Sequence, residues 1–216
     1  MALLGIDLGT SGVKAVVIDE RTRVLGVGFR EMPMEVPAPG RAEQDPEAWW
    51  SNTVMAVRQA LHESDHPGIR AIGCDGHMHG GVLLDGAGRP LGRAITWADQ
   101  RAAELIPEIE ADIGVETFLA VAGTRPAAGF MGPTMAWLRR NEPERLDAAA
   151  TFVLPKDYLR LHMTGEVATD ISDASGTAMF DVPGRTWSTE LAERQGAPAH
   201  ILPPLLESAE VAGGLS

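Results

Sequence analysis

Three apolar runs of strand length, at residues 3–7, 13–19 and 24–30, fill the first thirty positions with only short turns between them. Gly9-Thr10-Ser11-Gly12 supplies the first turn and Glu20-Arg21-Thr22-Arg23 the second. Connections this short oblige consecutive strands to run antiparallel. Pro33, Pro37, Pro39 and Gly40 then mark an extended loop. Asp45-Pro46-Glu47 is a helix start, with an N-cap carboxylate, proline in the first turn and an acid near the positive end of the dipole. Trp50, Val54, Val57 and Leu61 recur at helical spacing, which predicts a helix to about His62, ended by Pro67-Gly68. The apolar run 69–74 follows as a strand that a helix separates from the others, so it is expected to pair in parallel. The order β-β-β-α-β makes this an α/β chain with a mixed β-sheet flanked by helices.

Downstream the pattern is less regular. Residues 80–84 and 91–97 predict a hairpin about the turn at 85–90. Asp99 is placed to cap a helix running to about Ile113, and 135–141 forms a second helix ending before Pro143. A short strand at 151–154 and a helix at 156–163, stopped by Gly165, come next. The Asp/Ser-rich stretch 169–177 and the tail from Pro198 to Ser216 are expected to be loops.

The formal net charge of −12 argues against a non-specific nucleic-acid binder, which needs a basic face to displace counterions. It leaves a nucleotide substrate open, because magnesium accompanies the phosphates. No apolar stretch approaches the ~20 residues of a membrane span, so no membrane contact is expected. The single cysteine, Cys74, has no partner for a disulfide and lies in an apolar run, which suits a small buried residue. With no basic, cleavable leader at the start, the expectation is a cytoplasmic protein.

The decapeptide Gly5-Ile6-Asp7-Leu8-Gly9-Thr10-Ser11-Gly12-Val13-Lys14 carries the first chemistry. Backbone N–H groups and the hydroxyls of Thr10 and Ser11 can line a concavity for phosphate oxygens. Gly9 and Gly12 allow close approach of the backbone, Asp7 can hold Mg2+ through water, and Lys14 can direct a positive charge at phosphate. A P-loop would run on into a helix, whereas residues 13–18 continue as strand. An ordinary hairpin with a Gly-Thr-Ser-Gly turn is the alternative.

This decapeptide and the β-β-β-α-β order resemble the ribonuclease H-like, actin-like ATPases, which include sugar kinases and chaperones. Gly76-His77-Met78-His79-Gly80 narrows the resemblance, because it is similar to the Gly-Gln-Met-His-Gly segment of the xylulokinase branch of the FGGY carbohydrate kinase family. By that resemblance Met78 packs on the sugar carbons and His79 bonds hydroxyls, while His77 departs from the usual Gln. Two histidines two residues apart could also bind metal, but no third ligand clusters with them in the sequence. Trp97-Ala98-Asp99-Gln100-Arg101 resembles the family's Trp-Asn-Asp-x-Arg pocket wall. It offers an apolar face at Trp97 and hydroxyl partners at Asp99 and Arg101, with the N-cap role of Asp99 equally open. Residues 154–160 and 169–177 are similar to further family segments, with Asp173 the residue picked for the sugar side and a structural role for the stretch its alternative. Residues 129–134 match a family loop in which Thr134 stands where Lys is common, and no function is carried onto it.

The resemblance covers nearly the whole chain and implies that residues 1–216 form the N-terminal domain of such a kinase, ending before its catalytic Asp, with the adenine site in a second domain. It implies ATP and Mg2+ as cofactors, a small-molecule sugar as partner, phosphorylation of a pentulose (D-xylulose first), and a homodimer, the common assembly in this family. On this reading the piece alone is inactive. The open alternatives are another kinase of the family (for ribulose, gluconate, fuculose or glycerol) and a non-catalytic sugar sensor. Glycerol kinases would show Arg-Glu at the Met78-His79 position.

Overall fold

The computed structural model describes residues 1–215. Strands β1 (Ala2–Gly9), β2 (Gly12–Asp19) and β3 (Val24–Glu31) form an antiparallel meander, as their short turns require. Along β1, burial alternates strictly: Ala2, Leu4, Ile6 and Leu8 face the core, and Leu3, Gly5 and Asp7 face outward. The two-residue strand β4 (Glu43–Gln44) precedes helix α1 (Pro46–Glu63). Asp45 caps that helix, its side chain accepting from the Glu47 amide at 3.0 Å. Strand β5 (Ile69–Gly76) runs parallel to β1, and the sheet order is β3-β2-β1-β5. The mixed sheet expected from the sequence is therefore present, with each strand longer by one to three residues.

Helix α1 lies against β2 and β3 because two glycines let it in. A Cβ built at Gly28 would stand 1.8 Å from the Ala56 carbonyl oxygen, and one at Gly26 2.3 Å from that of Ala60. Opposite them α1 presents Ala56 and Ala60, both fully buried, so helix and sheet meet backbone to backbone. Trp49 fills the end of this layer together with Leu8, Val13 and Tyr158. The other face of the sheet carries the exposed row Phe29, Lys14, Asp7 and Asp75, one residue from each of four adjacent strands in register.

The hairpin expected at 80–97 is present in irregular form, the Leu91 amide donating to the Leu83 carbonyl and the Asp85 amide to the Arg89 carbonyl across the turn. Strands β6 (Val82–Leu84) and β7 (Ala94–Ile95) share only bridges at Gly81–Ile95 and Leu84–Pro90, and β7 pairs instead with β4. Asp99 does not cap a long helix. A 3-10 turn at Ala103–Leu105 leads into α2 (Ile106–Ile113), because Asp99 is turned inward to an ion pair described below. Helices α3 (Val115–Val121), α4 (Met131–Asn141) and α5 (Pro143–Asp147) follow. Strand β8 (Thr151–Val153) pairs antiparallel with β6, closing a second core around Leu83, Met131, Met135 and Phe152. Helix α6 (Pro155–Thr164) ends at Gly165, whose φ of 77° is the left-handed stop that glycine permits.

Two stretches expected to be loops contain structure. Strand β9 (Thr169–Asp170) runs straight into helix α7 (Ile171–Ser175), capped by the Asp170 carboxylate on the Ser172 amide. After the hairpin of β10 (Phe180–Asp181) and β11 (Thr186–Trp187) and helix α8 (Thr189–Arg194), the tail returns as β12 (Leu205–Leu206), parallel to β9. Asp and Ser favour turns locally, but the same side chains start helices when an orphan amide lies two residues on.

Candidate active site

The β1–β2 turn is a two-residue loop, Thr10-Ser11, held from three sides. Buried Gln44 donates its side-chain amide to the Thr10 carbonyl at 2.8 Å, and is itself fixed by the Trp49 indole N–H at 3.0 Å. The Ser11 carbonyl accepts from the Met32 amide at 2.9 Å. The Thr10 hydroxyl accepts the Trp97 indole N–H at 3.0 Å, across 87 residues of sequence. Gly12 has a reason the sequence did not disclose: a Cβ there would lie 2.5 Å from the Arg30 carbonyl oxygen and 2.7 Å from the Phe29 ring. Packing against β3, rather than approach of a phosphate, excludes a side chain at that position.

Asp7 and Lys14 lie opposite each other on β1 and β2, and both line an open cavity of about 560 Å³ on the uncovered face of the sheet, with Asp75 beside Asp7 on β5. Among the described residues Asp7 makes no ion pair. A carboxylate standing free beside a hydroxyl-bearing turn suits Mg2+, which keeps several waters and takes one or two carboxylates together with substrate phosphates. Cys74 lines the same cavity and is half-buried rather than fully buried as expected; burial pushes its thiol up to about 12, so it stays protonated near pH 7.

At the end of β5 the chain enters the Met-His loop. The His77 amide donates to the Leu8 carbonyl at 2.8 Å, keeping the loop in step with β1. His77 is 6% exposed, its ring stands edge-on to Trp49 at 5.5 Å, and neither ring nitrogen has a hydrogen-bond partner among the described residues. Burial alone pushes its pKa down to about 4, so the ring is neutral near pH 7. Met78 is half exposed. His79 has a φ of 72°, rare for a residue with a side chain. Its ring stacks on Phe130 at 4.3 Å, and Nδ1 lies 2.8 Å from the Gly176 carbonyl. A carbonyl only accepts, so Nδ1 carries the proton and, in the neutral ring, Nε2 is left as an acceptor.

The pocket-wall candidates divide. Trp97 keeps 44% of its surface exposed while tied to Thr10, so it bridges the turn and the open space beside it. Asp99 and Arg101 are turned inward. Both Asp99 oxygens are occupied, by the Ala42 amide at 2.7 Å and by the Arg101 backbone and guanidinium at 2.8 Å. Arg101 also reaches Glu43 at 2.5 Å and lies over the Trp137 ring at 5.0 Å. The pair braces β4 behind Trp97 instead of presenting free groups. Asp173 is mostly buried against the Lys156 ammonium at 3.3 Å, and burial pushes its carboxyl up to about 6. Gln44, Asp75 and Lys156 belong to this neighbourhood but were not singled out from the sequence. Gln44 lies just ahead of the Asp45-Pro46-Glu47 helix start, and its bond to Thr10 spans 34 residues, so no local pattern marks it.

The β-β-β-α-β sheet with its flanking helices is the ribonuclease H-like, actin-like ATPase fold. The family model described as the N-terminal domain of the FGGY family of carbohydrate kinases matches residues 2–216, and the chain belongs to that family. It is 38% identical over 212 residues to the xylulose kinase of Escherichia coli K12, covering 98% of this chain and 43% of that protein. It is 33% identical over 217 residues to the glycerol kinase of Thermococcus onnurineus, covering 98% and 44%. Among solved structures, a xyloylose kinase from Brucella ovis superposes with a TM-score of 0.94 at 39% identity, covering all of this chain and 45% of that one. The chain thus spans less than half the length of these relatives.

Proposed function

We propose that the protein carrying this chain transfers the γ-phosphoryl group of ATP to a primary hydroxyl of a pentulose, most directly D-xylulose, giving the 5-phosphate. The observation that supports this above the others is the Trp97–Thr10 bond, which joins a would-be sugar wall to a would-be phosphate turn. Phosphoryl transfer relies on positioning and charge stabilisation more than on covalent chemistry, so prearranged donors suit it. In this reading Asp7 holds Mg2+, which supplies charge neutralisation on the phosphates. The Thr10 and Ser11 amides, the Gly12 amide and Lys14 orient the phosphate oxygens. Met78 packs on the carbon chain, Trp97 walls it, and the His79 Nε2 accepts a hydroxyl proton. Asp99, Arg101 and Asp173 support these side chains from behind. The base that orients the attacking hydroxyl, and the adenine site, are assigned to the part of the relatives that this chain does not span.

Xylulose is preferred because the Gly76–Gly80 loop with its Met78-His79 pair resembles the xylulokinase segment, and because the 38% identical relative is named a xylulose kinase. A kcat/KM panel on the complete protein with xylulose, ribulose, gluconate and glycerol tests the choice. Xylulose is expected to lead by tenfold or more, about 1.4 kcal/mol of transition-state discrimination. A lead of that size for glycerol or gluconate would overturn it.

A further inference from the structure

Lys156 stands at the start of α6 with its ammonium enclosed by three carboxylates: Asp157 at 2.7 Å, Asp170 at 2.9 Å and Asp173 at 3.3 Å. Its side chain is only 14% exposed. Asp170 and Asp173 both belong to the β9–α7 segment, so one cation grips the start and the first turn of α7. Arg160 reaches the cluster only at Asp157, 3.8 Å away. Without Lys156, the two α7 carboxylates would face Asp157 and each other with no cation on them, and like charges at this range repel strongly in a buried setting.

The other end of α7 touches the sugar loop. The Gly176 carbonyl accepts from His79 Nδ1, and the two groups are so close that a Cβ on Gly176 would lie 2.7 Å from that nitrogen. The backbone of Lys156 meanwhile abuts Gly76, where a Cβ would lie 3.0 Å from the Lys156 nitrogen. Lys156 therefore touches the Met-His loop at its root and, through α7, controls the group that orients its histidine. We propose that Lys156 is a positioning residue for substrate recognition: its ammonium seats α7 so that the Gly176 carbonyl holds His79 as the Nδ1–H tautomer, with Nε2 directed to the ligand. Lys156 acts through His79 and does not itself touch sugar. The inference rests on the reading of His79 as a sugar ligand, but its test does not use sugar.

The 15N resonances of the histidine rings in the labelled 216-residue chain report the tautomer directly. In the unmodified chain His79 should show a protonated Nδ1 and a bare Nε2. In Lys156→Met the two resonances should move toward each other as the ring exchanges between tautomers, while those of His66, just before the opposite end of β5 from the Met-His loop, stay fixed. Lys156→Arg, which keeps the charge, should retain the original pattern. Should Lys156→Met fail to fold, Asp173→Asn removes one arm and relieves carboxylate crowding, and is expected to shift the same resonances part of the way. An unmodified chain lacking the Nδ1–H pattern, or a folded Lys156→Met or Asp173→Asn chain that keeps it unchanged, overturns the proposal. Titrating D-xylulose into the same samples asks the separate question of whether His79 meets sugar at all.

Discussion

Asp7→Asn in the complete protein is expected to lower kcat on the order of a thousandfold, with the KM for sugar little changed. The carboxylate is read as the protein's hold on the divalent ion, and such an ion is worth several kcal/mol of transition-state charge stabilisation. An amide keeps the shape and one acceptor oxygen but loses the charge. The stability of the 216-residue chain itself should hardly move, because Asp7 stands exposed there on the uncovered face of the sheet and makes no ion pair among the described residues. Substitutions at such sites usually stay within about 0.5 kcal/mol. Steady-state kinetics on the complete protein and a thermal melt of the 216-residue chain check the two halves. A kcat within tenfold of the unmodified protein would remove Asp7 from the phosphoryl site.

A second large effect concerns acid. His77 is a buried ring with no hydrogen-bond partner among the described residues, held near pKa 4 in the folded chain against about 6.5 when unfolded. The folded state thus binds fewer protons than the unfolded state between those values, and stability rises with pH across that window. The sign is the reverse of a histidine that gains a partner: His77 is harmless above pH 6.5 and increasingly destabilising as pH falls toward 4. At 1.36 kcal/mol per pKa unit the full cost is about 3 kcal/mol. His77→Gln removes the titration, so relative to the unmodified chain it should gain about 2–3 kcal/mol between pH 7.5 and pH 4.5. Asp173, whose raised pKa works in the opposite direction, is present in both proteins and cancels in the comparison. Urea unfolding at the two pH values measures the difference. Parallel pH dependences would mean that the ring finds a proton acceptor on folding.

The features legible in the sequence are those whose physics is local. The three-strand meander follows from turn length, α1 from its Asp-Pro-Glu start and apolar spacing, and the parallel pairing of β5 from the intervening helix. The Met-His loop stands out through its resemblance to a segment of the family, and the glycines that flank it at the end of a strand fit that reading. What the sequence hid depends on partners far along the chain. Strand β6 pairs with β8 more than sixty residues away rather than with its neighbour β7, and a three-residue strand carries no signal of its own partner. Asp99 looks like a helix cap because its distant partner, the Ala42 amide, is brought to it only by the β4–β7 contact, while Arg101, two residues on, closes on it locally. Lys156 opens a helix that the sequence marks only by its Gly165 stop, and the carboxylates that converge on it come from two segments. The Trp97–Thr10 bond, which ties the two halves of the site together, is invisible to any local pattern.

The account turns on the β1–β2 turn and the Met-His loop serving one reaction. A crystal structure of the complete protein with D-xylulose, Mg2+ and a non-hydrolysable ATP analogue addresses that directly. The prediction is a metal ion beside Asp7, terminal phosphates over Thr10-Ser11-Gly12, and sugar between Met78, His79 and Trp97 with a hydroxyl on His79 Nε2. Phosphates bound away from that turn, with Asp7 facing only solvent, would contradict it.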